Sequence, residues 1–246
     1  MSAEVWCVRP GQVRYGESRE LQKRLEAARQ NGAIPDVLLL LEHPPVYTKG
    51  RRSTADELPM GEDWYRMQGI EVTETDRGGR VTYHGPGQLV GYPIVDLRAL
   101  ASRATPGREA EDVARFDVVE YIRRMERVMI ESLGEWGVEA GCIEGQTGVW
   151  VDDRKIGSIG VHVDRGVTTH GFAINVNNDL QPFEWIVPCG IEACRMTSLT
   201  RELGAEQDMG AFMDTVASRF GEIYRRDVVE WTAHEFAEGE AALSWR

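Results

Sequence analysis

The sequence has no long apolar run and no excess of basic charge, and each absence excludes a class of protein. No apolar stretch approaches the ~20 residues that a helix needs to cross a bilayer, and the run at 37–41 has the length of a buried strand. Residues 1–6 lack a basic segment followed by an apolar one, which predicts a cytoplasmic protein without a secretory signal. The net charge of -12 argues against a nucleic-acid partner, because such proteins usually carry a basic face.

Cysteine is scarce and scattered. The four cysteines form no CxxC pair: Cys7, Cys142, Cys189 and Cys194. In a cytoplasmic chain this pattern predicts free thiols and no disulfide framework. No His-x-x-x-His pattern follows Cys189 and Cys194, so a zinc site is not expected.

Lysine is the scarcest charged residue. Among the 28 basic residues only three are lysines: Lys23, Lys49 and Lys155. Arginine stays protonated whereas lysine can exchange a proton. Lys155, directly after Arg154, is therefore a candidate for acid–base chemistry, and an ordinary surface lysine is the alternative.

Hydrophobic periodicity predicts short strands interspersed with longer helices. Helices are predicted over residues 18–29, 112–136 and 211–225, and an exposed connection over 101–111. Strands are predicted over residues 36–41, 70–75, 89–95, 148–151, 155–163, 168–176 and 228–231. Adjacent hairpins combined with longer helices favour a single α/β (α+β) domain whose mixed, largely antiparallel sheet is flanked by helices.

Two glycine-containing segments are candidates for ligand binding. Residues 77–88, RGGRVTYHGPGQ, place four glycines at a strand end, where the backbone can approach a ligand closely. They match neither a Walker A loop nor a dinucleotide fingerprint, and an ordinary turn is the alternative. Residues 154–162 place glycines in a β-like run, which indicates that something packs against the strand. An acyl chain, an extended peptide or a tight helix–sheet contact would each fit.

The candidate nucleophile is Cys189. It lies between Pro188 and Gly190, which predicts a rigid turn, and reactive cysteines occupy partly exposed, electropositive sites. The other three cysteines lie in segments without such turn chemistry. Four histidines are candidate general bases or satisfied structural residues: His43, His84, His162 and His170.

Taken in order, these segments resemble the lipoyl(octanoyl) transferase family, which is related in fold to lipoate and biotin protein ligases. The matching stretches are LLLEHPPVYTKG (39–50), RGGRVTYHGPGQLVGYPI (77–94), GVWVDDRKIGSIGVHV (148–163), THGFAINVNNDL (169–180), PCGI (188–191) and MTSL (196–199). The resemblance extends over residues 38–199. It implies one catalytic domain over residues 1–246 with a biotin/lipoate protein ligase-like fold.

The resemblance also implies a reaction. The family moves an octanoyl group from octanoyl-acyl carrier protein to lipoyl domains of 2-oxoacid dehydrogenases and to the glycine cleavage H protein, the first step of endogenous lipoate synthesis. It implies that Cys189 carries the group as a thioester and that Lys155 activates that cysteine. The implied substrate-binding residues are Arg77, Gly78, Gly79, Arg80, Val81, Thr82, Tyr83, His84, Ser158, Ile159, Gly160, Gly171, Phe172 and Ala173. No cofactor, metal, nucleic acid or membrane is expected.

Two other functions stay open. An ATP-dependent lipoate or biotin protein ligase of the same fold would bind an adenylate and has no use for a nucleophilic cysteine. A non-catalytic acyl-protein binding module would keep the glycine-lined groove and would lose nothing when Cys189 or Lys155 was changed.

Overall fold

Two β-sheets form the framework of the computed structural model, which describes residues 4–104, 118–186, 195–232 and 235–236. The strands are β1 (Glu4–Gln12), β2 (Asp36–Glu42), β3 (Val46–Lys49), β4 (Glu71–Glu74), β5 (Thr82–His84), β6 (Gln88–Ile94), β7 (Gly141–Ile143), β8 (Gln146–Val151), β9 (Arg154–Asp164), β10 (Val167–Asn175), β11 (Arg195–Met196) and β12 (Asp227–Trp231). The helices are α1 (Tyr15–Gln30), α2 (Glu62–Met67), α3 (Leu97–Ala104), α4 (Val118–Glu135), α5 (Gln181–Glu184), α6 (Leu199–Leu203) and α7 (Met209–Tyr224), with a 3-10 turn at Ala55–Glu57.

The larger sheet is mixed. Among the described residues it has nine strands in the order β12-β1-β2-β6-β10-β9-β8-β7, and β11 pairs with β9. The pairs β12–β1, β1–β2 and β11–β9 are parallel, and the remaining pairs are antiparallel. The smaller sheet has the order β4-β3-β5. A mixed, largely antiparallel sheet with flanking helices is the predicted fold class, which is confirmed.

Strand β2 lies in the interior because helices cover both of its faces. Leu38 and Leu40 point into a core with α4 and α7, while Leu39 and Leu41 point into a second core with α1. All four side chains are fully buried. A strand covered on both faces needs no polar alternation, which explains the unbroken apolar run in the sequence.

Helix α4 confirms the longest predicted helix over the part that the structure describes. Met125, Met129 and Leu133 are fully buried along one stripe, and Ile122 and Trp136 pack against the same core. Residues 112–117 of the predicted helix lie outside the described residues. Helical spacing thus buries one face of α4 against the sheet.

The connection predicted over residues 101–111 is wrong at its start, because α3 continues through Ala104. Leu97 and Leu100 anchor this helix in the core, and the Asp96 carboxylate accepts the backbone N–H of Arg98 in its first turn. The rest of that stretch lies outside the described residues. No helix within the described ranges is long and apolar enough to cross a membrane.

Candidate functional site

A narrow cleft opens where β9 and β10 face the loop that precedes β5. Its volume is about 70 Å³. Its lining combines residues from five parts of the chain: Tyr15, Arg77, Gly79, Arg80, Val81, Thr82, His84, Tyr92, Lys155, Ser158, Ile159, Gly160, His170, Gly171, Phe172 and Ala173. The three segments that the sequence singles out for substrate binding therefore meet at one place.

Arg77 organises the loop at the mouth of this cleft. Its Nη2 donates to the carbonyl and the hydroxyl oxygen of Thr48 on β3, each at 2.7 Å, and to Arg80 O at 2.8 Å. From the other side the buried Glu57 carboxylate accepts the backbone N–H of Val81 at 3.0 Å and pairs with Arg80. Buried charge-assisted bonds of this kind fix the loop in one conformation.

Two glycines in β9 allow other parts of the chain to lie close to this strand. A Cβ at Gly160 would lie 2.9 Å from Gly78 O and 3.1 Å from the Arg77 side chain, so this glycine lets the loop lie on the strand. A Cβ at Gly157 would lie 2.9 Å from Met129 Sδ of α4. A tight contact between helix α4 and the sheet therefore explains the glycine at 157. A contact between β9 and the loop at residues 77–78 explains the glycine at 160.

Lys155 lies at one end of the cleft and is 5% exposed. Its Nζ donates to Thr147 O at 3.0 Å and lies 5.2 Å from the Trp150 ring. Trp150 pairs with Lys155, whereas Val149 pairs with Gly157, so β9 carries one extra residue between the two pairs. Bulges of this type re-aim side chains beside functional sites.

His170 lies at the other end, in a left-handed conformation (φ 57°) that non-glycine residues rarely adopt. It pairs with Val161, six residues from Lys155 along β9, which separates the two backbones by roughly 20 Å. His170 Nε2 lies 2.9 Å from Asp76 Oδ1, and burial lowers the pKa of His170. The hydrogen bond from His170 holds the pKa of Asp76 well below its usual range. We infer a neutral imidazole that donates from Nε2.

The charges that line the cleft are positive although the whole chain is strongly acidic. Arg77, Arg80 and Lys155 contribute cations. His84 donates from Nδ1 to Gln88 Oε1 at 2.7 Å, and burial lowers its pKa well below the ordinary value, so it stays neutral. A thiolate or a developing oxyanion placed here would meet favourable charges.

Two of the predicted binding residues do not line the cleft. Gly78 donates its N–H to Val161 O at 2.9 Å, so it supports the loop and that N–H does not serve as an oxyanion donor. Tyr83 packs on the other side of β5, with ring centroids 5.5 Å from Tyr47 and 5.4 Å from Phe183. Both belong to the framework of the site.

The cysteines divide into two groups. Cys189 and Cys194 lie outside the described residues, and so does the predicted turn around Cys189. Cys7 is buried, which raises the pKa of its thiol to about 12. Cys142 is exposed, and partial desolvation together with Glu126 raises its pKa. In both places the net effect is a raised thiol pKa, whereas a nucleophilic cysteine has a lowered one.

Three lining residues were not among the predicted catalytic or substrate-binding residues: Tyr15, Tyr92 and His170. His170 was a candidate general base, and an imidazole within an apolar strand is the sequence feature that indicated it. Tyr15 begins α1 and reaches the site through its hydroxyl, which donates to Thr75 Oγ1 at 2.9 Å. No local pattern identifies Tyr15 or Tyr92, because their position depends on packing between distant elements.

Comparisons with known proteins agree with this architecture. The model of the lipoyl protein ligase A/B catalytic domain family matches residues 14–221. The chain is 43% identical over 227 residues to an octanoyltransferase of Acidobacterium capsulatum, which covers 89% of each chain. It is 45% identical to an octanoyltransferase of Solibacter usitatus, covering 89% of this chain and 91% of that one.

A solved structure supports the fold. The bi-partite lipoate protein ligase of Thermoplasma acidophilum superposes with a TM-score of 0.69 at 18% identity, covering 98% of this chain and 91% of that chain. At this identity the likeness shows the fold, and it confirms the predicted ligase-like architecture. Together with the sequence matches, it means that the chain belongs to the lipoyl protein ligase A/B catalytic domain family, among its octanoyltransferases.

Proposed function

We propose that this chain, as one catalytic domain over residues 1–246, transfers octanoyl from acyl carrier protein through a thioester on Cys189. The acceptor is the target lysine of a lipoyl domain or of glycine cleavage H protein. In this proposal Lys155 is the acid–base residue, and the cleft along β9 and β10 holds the acyl chain. The predicted cytoplasmic location is part of the same proposal.

The observation that carries the proposal is the position of Lys155. It is a buried cation at a bulge, at the end of a cleft lined by the three predicted binding segments. Arg195 and Met196, which follow the Cys189 segment, pair with Arg154 and Lys155. The first described residues after residue 186 therefore lie directly beside Lys155.

The proposed reaction has two steps, acylation of Cys189 and transfer of the acyl group to the acceptor amine. First, the Cys189 thiolate, paired with the Lys155 ammonium, attacks the carrier thioester, and the carrier thiolate leaves with a proton from Lys155, which becomes neutral. Second, the acceptor amine attacks the Cys189 thioester, passes a proton to Lys155, and an amide forms as the Cys189 thiolate leaves. Exchange of one thioester for another is nearly balanced, and conversion to an amide is downhill, so no ATP is required.

Two features favour this function over the open alternatives. The octanoyltransferases that resemble this chain are 43–45% identical over 89% of it. The cations at the cleft suit a thiolate and an oxyanion, which a passive binding module would not require. An adenylate-forming ligase stays the second candidate because the ligases share the fold.

The test is intact-protein mass spectrometry after brief incubation with octanoyl-acyl carrier protein in the absence of ATP. We expect an octanoyl adduct on the wild type that is discharged when an apo-lipoyl domain is added. Cys189→Ala should form no adduct. Cys142→Ala is the matched control, because it removes an exposed free thiol outside the cleft and should behave like the wild type.

Other outcomes separate the candidates. An adduct that persists in Cys189→Ala would reject the assignment of the nucleophile. Transfer that appears only with ATP and free octanoate would indicate a ligase. Binding of the acylated carrier without any transfer, unaltered by Cys189→Ala, would indicate a binding module.

A further inference from the structure

Glu126 is a buried carboxylate that the proposed mechanism does not use. It lies on the sheet-facing side of α4 and is 1% exposed. Its Oε2 pairs with Arg123 at 2.6 Å, but the Arg123 side chain is 53% exposed and needs no buried partner. Burial of an ionised carboxylate is costly unless its oxygens are bonded, so the second oxygen is informative.

The second oxygen contacts the peptide that holds Lys155. Glu126 Oε1 accepts the backbone N–H of Gly148 at 3.1 Å. The carbonyl of Thr147 accepts Lys155 Nζ at 3.0 Å. Because Thr147 C=O and Gly148 N–H belong to one planar amide, the carboxylate and the ammonium contact the two ends of the same peptide group.

This arrangement has a physical consequence. A carboxylate that accepts the N–H fixes the plane of the amide and polarises it, which makes the carbonyl a stronger acceptor for the ammonium. The direction of the Thr147 carbonyl, and with it the position of Lys155 Nζ, thus depends on Glu126.

Gly148 allows this peptide to lie against the lysine. Its φ of 121° is a conformation that favours glycine. A Cβ at this position would lie 2.5 Å from Gly157 O and 2.7 Å from Lys155 Cε. The backbone conformation of Gly148 and the Glu126 carboxylate therefore both constrain the position of Lys155.

We propose that Glu126 is a positioning residue that holds Lys155 in place through the Thr147–Gly148 peptide. It does not touch substrate, and it acts by orienting the group that exchanges the proton. The inference rests on the proposed function for the role of Lys155, but the position of the lysine can be measured separately.

The experiment uses the small number of lysines. Protein labelled with 13C at the lysine ε carbon has three labelled sites, and Lys155→Arg identifies the signal of Lys155. We expect Glu126→Gln to shift the Lys155 signal and to leave those of Lys23 and Lys49 in place, which also reports an intact fold. Glu131→Gln is the matched control, because Glu131 lies on the same helix and pairs with Arg127.

Kinetics provide the second measurement. We expect Glu126→Gln to lower kcat for octanoyl transfer roughly 10- to 100-fold, as misplacement of a reacting group does, with KM for the donor within about twofold. Glu131→Gln should leave both constants unchanged. If Glu126→Gln does not fold, Glu126→Asp supplies the same comparison, because it keeps the charge and shortens the reach.

An unmoved Lys155 signal in the Glu126 variant, or an equal shift in the Glu131 control, would overturn the inference. If the wild type is active, an unchanged kcat in Glu126→Gln would also overturn the inference. If the wild type itself fails to transfer octanoyl, the proposed function is wrong, while the signal of Lys155 still decides whether Glu126 positions it.

Discussion

At the level of single residues, Lys155 differs from Arg77 and Arg80 in one chemical respect: an amine can exchange a proton, whereas a guanidinium stays protonated. All three line the same cleft, so all three contribute positive charge. Thr147 O and the Trp150 ring hold the lysine at a bulge of β9. The proposed role of Lys155 therefore depends on proton exchange as well as on charge.

The first prediction separates these two contributions. Lys155→Arg keeps the charge but removes a group that exchanges protons, so we expect kcat to fall at least about 100-fold, within the range typical of general acid–base catalysis. Steady-state transfer of octanoyl from the carrier to a lipoyl domain measures the effect. Lys49→Arg is the control, because Lys49 pairs with Glu62 and Glu74 outside the cleft. Near-normal activity in Lys155→Arg would limit the lysine to electrostatics.

At the level of elements, the loop of residues 77–81 is held between two parts of the chain that are distant in sequence. Arg77 connects it to β3 through Thr48, and Gly78 connects it to β9 through Val161 O. Helix α1 closes the far end, where Gln22 Oε1 accepts the backbone N–H of His170 at 2.7 Å. These contacts place the glycine-rich loop over the cleft.

The second prediction concerns this loop. Arg77→Lys keeps one charge but cannot reproduce the forked bonds to Thr48 and Arg80 O. We expect the free energy of unfolding to fall by roughly 1–3 kcal/mol, because buried partners lose their donors, and KM for the acyl donor to rise. Urea unfolding and transfer kinetics measure both. Arg66→Lys is the control, because Arg66 forms exposed pairs on α2, and an equal loss in that variant would contradict the role of the loop.

For the whole molecule, three buried histidines make stability depend on pH. Burial lowers the pKa of His43 to about 4 and lowers those of His84 and His170. His43 is held by Val13 O at 2.6 Å and by the Tyr92 hydroxyl at 2.7 Å. Protonation of such groups is favoured in the unfolded chain, where a histidine titrates near 6.5.

The third prediction follows from the sign of these shifts. A histidine whose pKa is lower in the folded than in the unfolded state stabilises the fold. This contribution is fully present above the pKa of the unfolded state and is lost as the pH falls toward the pKa of the folded state. We expect protonation of His43 in the unfolded chain to lower the free energy of unfolding by about 2 kcal/mol between pH 7 and pH 5. Urea unfolding across this range should show a shallower decline for His43→Gln than for the wild type. Equal slopes would mean that His43 does not contribute.

Much of this protein was predictable from the sequence because the relevant signals are local. Apolar spacing identified α1, α4, α7 and the strands from β8 to β10, since periodicity reflects which face each element buries. Strand β1 was not predicted, and the chain beyond residue 100 was predicted as a connection where α3 continues. The order of the motifs indicated the family before any contact was known.

Tertiary structure decided which of these segments meet. Glu126 and Gly148 are 22 residues apart, and Gln22 and His170 are 148 apart, so no local pattern links either pair. The bulge that aims Lys155 depends on the register between β8 and β9, and the removal of Tyr83 from the cleft depends on its packing with Tyr47. Local periodicity sets the conformation of each element, but register and packing between elements set the geometry of the site, because they are fixed only when the whole core forms.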